Sequence, residues 1–402
     1  MLTNDLEQRL QAPPTTTEKI RALVAEAQDL QNRDPQRALQ CANEALTLIG
    51  KREDLPKEKA DALFAKGDSL RIMGNHLEAR DVARSALELY ESLNDKRGVA
   101  DALNLAGLTH YALADYPDAL WRFQKSFDLY ESVGEKRGMI ETLNNLGSVY
   151  FRLSDFQNAL RQFEQCLRVG QEIDDKFSVA RTLNNIGNVH ICLGDRASAL
   201  ECLQQSLSIF QTIGHKYGMA SAFGNIGAIY FYFADYASAL QHHKSSLAIY
   251  EEIQNKYGMA SATGNIAAIY CELADYATAL DYHRKSQVAY QELGDKLGVA
   301  ISNIGIGDVY IHLADYANAR LRFQQSLETY QSVGDKRGVA TSLVKLGATC
   351  LSLNQLSEAI SHYERGLATC LEIGERRLAT ECYLGLGKCY ARLNASGKTK
   401  QI

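Results

Sequence analysis

Apolar residues recur along this chain at i, i+3, i+4 and i+7, as in Leu143, Leu146, Val149, Tyr150 and Leu153. That spacing gathers them on one face of an α-helix. No segment sustains the strict alternation of a strand. The string Thr142-Leu-Asn-Asn-Leu-Gly-Ser-Val-Tyr150 returns at 182–190, and in related form at 223–230 and 263–270, a step of 40 residues each time. Its glycine can be followed through Gly67, Gly107, Gly147, Gly187, Gly227, Gly307, Gly347 and Gly387; Ala267 alone breaks the column. A fixed period of this size predicts stacked repeats, and two helices per period leave turns so short that neighbours must run antiparallel.

Residues 335–374 show the pattern. Asp335 is placed to N-cap a helix from Lys336 to about Leu353. Asn354 and Gln355 make the turn, and a second helix passes through Ala359 and Tyr363 to Ile373, where Gly374 stops it. Regular units of this kind are expected from Lys57 to Gly374. A degenerate first unit covers Thr17 to Ile49, its second helix entered at Asp34-Pro35, and a charged link runs from Gly50 to Pro56. Residues 1–16 read as a polar lead, Leu378 to Leu393 as a lone helix capping the array, and 394–402 as a mobile tail. Within a unit, Gly147 and Ala159 are small because two helices cross closely there, and Tyr150 and Phe163 fill the volume beside the crossing.

Bulk properties narrow the function. The chain has 402 residues, more than one ordinary compact core holds, but repeats escape that limit because each packs only on its neighbours. A net charge of −5 argues against nucleic acid, which calls for a basic face. Nine cysteines without a CxxC spacing read as small buried thiols of a reducing compartment. The N-terminus lacks a signal-peptide core and no run is apolar enough to span a bilayer, so a cytoplasmic protein without membrane contact is expected. There is no phosphate-binding glycine loop, no HExxH and no nucleophile elbow, so no enzyme and no cofactor are expected. His243 and His283 stand in the column of Phe163; two ligands without a second shell read as rings in partly buried slots, and no metal is expected.

The set Gly147, Tyr150, Ala159 and Phe163, repeated as Gly307, Tyr310, Ala319 and Phe323, resembles the tetratricopeptide repeat. The likeness runs over residues 17–393. The usual unit of that family is about 34 residues; here it is lengthened by links such as Gly334-Asp-Lys-Arg-Gly338. This long form is similar to the repeats of Pins-type G-protein-modulator scaffolds and to sensor regions of bacterial signalling proteins. The tryptophan usual in the family is replaced by Leu143, Leu183 and Phe223, and by the polar Thr263 and Asn303. The resemblance implies an all-α, right-handed α-solenoid of tandem helix-turn-helix repeats, about nine hairpins and a capping helix. It further implies that the first helix of each unit lines a concave groove.

One column does not suit packing: Asn145, Asn185, Asn225 and Asn265. Asparagine is a poor helix-interior residue because it competes for backbone hydrogen bonds. Its amide offers both donor and acceptor, so a ladder of such groups facing the groove could hold the main chain of an extended peptide. Arg152, Arg181, Asn188, Ser221, Tyr232 and Ser261 lie near it by helical spacing, and the two arginines would select an acidic partner. The plainer alternatives are that the asparagines tie adjacent helices together or face water. The expected function is a scaffold or adaptor that binds an extended segment of a protein partner. The alternative is the sensory region of a larger signalling enzyme, a cyclase or kinase. A quorum-sensing peptide receptor would need an effector-binding helical domain ahead of the repeats, which the short lead Met1 to Thr16 does not supply.

Overall fold

The computed structural model describes residues 16–31, 33–50 and 54–399. The lead at 1–15 and the last residues, 400–402, lie outside the described residues. Among those described there are nineteen helices and no strand. They are α1 (Thr16–Leu30), α2 (Pro35–Ile49), α3 (Pro56–Ile72), α4 (His76–Ser92), α5 (Lys96–Ala112) and α6 (Tyr116–Val133). Next come α7 (Lys136–Arg152), α8 (Phe156–Glu172), α9 (Lys176–Leu193), α10 (Arg196–Thr212), α11 (Lys216–Tyr232), α12 (Tyr236–Glu252) and α13 (Lys256–Glu272). The last are α14 (Tyr276–Glu292), α15 (Lys296–His312), α16 (Tyr316–Val333), α17 (Lys336–Ser352), α18 (Leu356–Ile373) and α19 (Arg376–Thr399). Odd-numbered helices open the hairpins and even-numbered ones close them, and α19 has no described partner after it. The fold is an all-α solenoid, and the chain divides into two compact units, one ending at Ile209 and the other beginning at Phe210. Helix α19 runs past Leu393 to Thr399, because Asn394 continues the helix instead of terminating it.

The caps form as the residues dictate. Asp335 accepts from the Gly338 N–H at 3.0 Å, and Asp34 from that of Arg37 at 3.0 Å ahead of Pro35. Where the aspartate of that column is replaced, His215 and Asn255 do the same work, accepting through Nδ1 and Oδ1 at 3.0 and 2.7 Å. Gly374 ends α18 in the left-handed conformation at φ 71°. Several other turns put alanine there, Ala114, Ala234, Ala274 and Ala314 having φ between 55° and 59°. A side chain in that region costs on the order of 1 kcal/mol, part of which glycine returns as unfolded-state entropy. Ala274→Gly is therefore expected to stabilise the chain by about 0.5 kcal/mol, read as a higher denaturation midpoint. A lower midpoint would show that the turn carries no strain.

Three columns hold the stack together. Serines of the closing helices are pinned to the opening helix of the same hairpin: Ser206 Oγ donates to the Ala180 carbonyl at 2.7 Å, Ser246 to Ala220 and Ser286 to Ala260 at 2.8 Å. Cys166 takes this place in α8, its thiol 3.3 Å from the Ile140 carbonyl. The glycine column faces the ring column of the same hairpin: a Cβ on Gly147 would lie 2.5 Å from Phe163 Cε1, and one on Gly187 would lie 2.7 Å from Leu203 Cγ. A second glycine column receives rings from the preceding hairpin, Tyr130 on Gly138, Tyr250 on Gly258 and Tyr290 on Gly298. In the first unit this pair is exchanged once: Gly170 stands where the tyrosine would be, and Ser178 where the glycine would be.

Candidate functional site

Asn145, Asn185 and Asn225 lie half-buried on the opening helices, and the first two are partly committed to neighbouring amides. Asn145 Nδ2 donates to Asn104 Oδ1 at 2.9 Å, and Asn185 Nδ2 to Asn144 Oδ1 at 2.8 Å. Both bonds join consecutive opening helices, α5 to α7 and α7 to α9, across 41 residues. So at these two positions the amides do tie adjacent helices. Each bond uses one N–H of its donor; the second N–H and the carbonyl oxygen of that side chain take no other hydrogen bond among the described residues. Asn225 is half-buried, whereas Asn265 is exposed and has Gly224, without a side chain, 41 positions before it in the register of the other pairs. The column then stops at Gly305 for a packing reason: the His283 ring lies where a Cβ on that residue would be. The same ring explains Ala267. The small residue that this ring needs stands not on α13 of its own hairpin but on α15 of the next.

Arg152, Asn185 and Asn188 come together. With Tyr111, Ser148, Phe151 and Phe163 they line a cavity of about 250 Å³ within the first unit. Phe163 is 2% exposed and serves both the core and the cavity. Arg152 Nε donates to the Tyr111 hydroxyl at 3.1 Å, and Ser148 Oγ to the Asn144 carbonyl at 2.8 Å. Asn188 has no hydrogen-bond partner among the described residues. Asn145 and Arg181 are not among the lining residues. Arg181 sits with its guanidinium 5.7 Å from the Phe177 ring centre, and its Nε is enclosed without a partner. Desolvation raises the pKa of the Glu141 carboxyl, and the charge of Arg181 opposes that shift. Tyr232, which is not among the lining residues, is 69% exposed at the end of α11 in the second unit, its ring set edge-on to Phe233 at 5.2 Å.

Tyr111, Ser148 and Phe151 were not legible as site residues. The usable signal is the offset of 41 between partners, one more than the repeat, written in the doublets Asn144-Asn145 and Asn184-Asn185. His243 and His283 are buried rings at 3% and 6% exposure, each in its own hairpin. One group of possible metal ligands is present among the described residues: His110 Nδ1, 2.9 Å from Asp115 and 3.7 Å from Asp118. The His–Asp pairing recurs at His190 and Asp195, 3.6 Å apart, where Ser198 replaces the second carboxylate. It therefore reads as a His–Asp pair at a turn, hydrogen-bonded at His110, whereas His190 Nδ1 makes no hydrogen bond among the described residues. Among the described residues no helix is long and apolar enough to cross a membrane.

Comparison with curated proteins gives no match. Among solved structures, a Rap protein complexed with competence and sporulation factor is similar at 16% identity and TM-score 0.59, over 94% of this chain and 99% of that one. The apo form of RapI is similar at 15% identity and TM-score 0.62, over 90% and 99%. The apo quorum sensor NprR from B. thuringiensis is similar at 14% identity and TM-score 0.59, over 88% and 99%. At these identities the likeness concerns the fold. The family model described as tetratricopeptide repeat matches residues 58–132, 138–212, 178–252, 258–332 and 300–372. With most of its length in register with that model, and hairpins built on its glycine, alanine and ring columns, the chain belongs to the tetratricopeptide-repeat family.

Proposed function

We propose that the chain is a cytoplasmic interaction module whose opening helices hold an extended segment of a partner protein or peptide. The observation that carries this reading is the cavity at Arg152, Asn185 and Asn188, where one amide is left without a partner at the edge of an amide ladder. A main chain lying along that face would meet donor and acceptor groups at the spacing of the opening helices. Each such bond adds only about 1 kcal/mol net, so several must act together. Arg152 and Arg181 place positive charge beside the path and would favour an acidic segment.

A second reading, a peptide-sensing regulator, is favoured by one observation. The Rap protein is complexed with competence and sporulation factor, NprR is a quorum sensor, and this chain covers 99% of each. That coverage weakens the objection that the lead is too short for such a receptor. A sensory region of a larger signalling enzyme is a further form of the same activity.

The test uses the full chain and a pool of N-acetylated, C-amidated random heptapeptides. Asn145→Ala with Asn185→Ala is expected to cut retention of the pool at least about tenfold, since each lost bond to ligand is worth about 1 kcal/mol. Stability should change by no more than about 1 kcal/mol, because alanine's helix propensity offsets much of the lost amide bonds. Arg181→Ala should weaken retention of acidic members and flatten its salt dependence. Unchanged retention with a marked fall in melting temperature would make the ladder a structural seam and refute the reading.

A further inference from the structure

We propose that the cavity between α7 and α9 is a specificity subsite that takes one large apolar side chain, leucine, methionine or phenylalanine, of the bound segment. The proposal rests on the groove reading above and adds to it the residue class at one position. The size of the cavity sets the first limit. At about 250 Å³ it falls below the range of roughly 300–1,000 Å³ typical of pockets that engulf a whole small ligand. It accommodates a single side chain.

The chemistry of the lining sets the second limit. Phe163 and Phe151 contribute aromatic surface, and Phe163 cannot retreat because it is packed against Gly147 on its other side. The polar groups of the rim are mostly engaged with the protein. Asn185 donates to Asn144, Ser148 to the Asn144 carbonyl, and Arg152 to the Tyr111 hydroxyl. A polar side chain entering here would lie against the Phe151 and Phe163 rings, which offer it no hydrogen-bond partner, while the free groups of Asn185 and Asn188 are taken up by the main chain. An apolar side chain displaces only water and gains contact with the rings. Asn188 has no partner for its amide, and Asn185 keeps one N–H and its carbonyl oxygen. One free amide at the mouth of an apolar slot suits the main chain of the same residue whose side chain fills the slot. The arginine thus belongs to the rim, and selection at this point is for size and apolarity.

Two heptapeptide pools test this, N-acetylated and C-amidated, identical except for a central residue fixed as leucine or as serine. The unmodified chain should retain the leucine pool at least about tenfold better, the discrimination an apolar pocket commonly gives. Asn188→Leu fills the mouth of the cavity, and Leu108 holds the same helix position two hairpins earlier, so the variant should fold; circular dichroism checks that. It should lose the preference, retaining the leucine pool no better than the serine pool, with both at or below the level at which the unmodified chain retains the serine pool. Equal retention of both pools by the unmodified chain overturns the subsite and leaves the groove reading standing. A leucine preference that survives in Asn188→Leu overturns its location here. Retention of neither pool overturns the subsite and the groove reading together.

Discussion

Gly187→Leu is expected to unfold its hairpin, with a loss of about 3 kcal/mol or more. At this crossing even a Cβ would lie 2.7 Å from Leu203 Cγ and 3.3 Å from the Ala199 carbonyl oxygen, and the second of these is backbone. Leucine adds three more carbons in a space that does not take the first. Each hairpin of a solenoid draws stability from the interfaces on both sides, so the damage should spread to its neighbours and broaden the transition. Leu203→Ala in the same chain should restore part of the loss, because it removes the flexible half of the obstruction but not the carbonyl. Thermal or urea denaturation of the single and double variants checks this. A melting curve unchanged by Gly187→Leu would show that the crossing is loose.

Acidification is expected to weaken the second unit by way of two buried rings. Burial pushes the His243 and His283 imidazoles down to about 4, and for His243 the charge of His242 adds to the effect. His243 Nδ1 has no hydrogen-bond partner, so nothing nearby compensates a proton there. In the unfolded chain these rings titrate near 6.5. The stability they contribute is complete above that pH and drains as pH falls from about 6.5 to about 4, where the unfolded chain binds the protons that the folded one refuses. The loss at the lower end is on the order of 3 kcal/mol per ring. His243→Phe with His283→Phe should remove this slope, since phenylalanine fills the same column at Phe163 and Phe323. Urea midpoints measured between pH 7 and 4 decide it. An equally steep fall in the double variant would place the pH sensitivity in other groups.

The hairpin boundaries were legible because a few local rules fix them. Asp335 caps its helix and Gly374 ends one, in each case through groups within four residues, and the apolar period carries the register between them. The tight crossings were legible for the same reason, since glycine recurring opposite alanine has few other uses in a helix. The amide column was legible as a column, but its partners were not. Whether Asn185 turns toward a ligand or toward Asn144 depends on how far the next helix is displaced along its axis. That displacement is a property of packing between hairpins. Nor could the end of the column be explained from the chain alone. Gly305 looks like a lapse in an asparagine series until the His283 ring is found beside it. The direction of that ring follows from a side-chain torsion, which leaves no trace in a periodic pattern.

The exchange of Gly170 and Ser178 for the usual tyrosine and glycine makes this joint unlike the others. Cut the chain by one period at 138–177 and Arg137 would be joined to Ser178, so the ring of Tyr130 would press on a residue with a Cβ where it now has Gly138. Remove 258–297 instead and Tyr250 would meet Gly298, a like-for-like substitution. The chain is thus a register of compatible and incompatible splice points. Loss or duplication of whole repeats by recombination would be tolerated in the second unit and resisted at the α8–α9 joint, which keeps the cavity and its amides at a fixed count of repeats from one another.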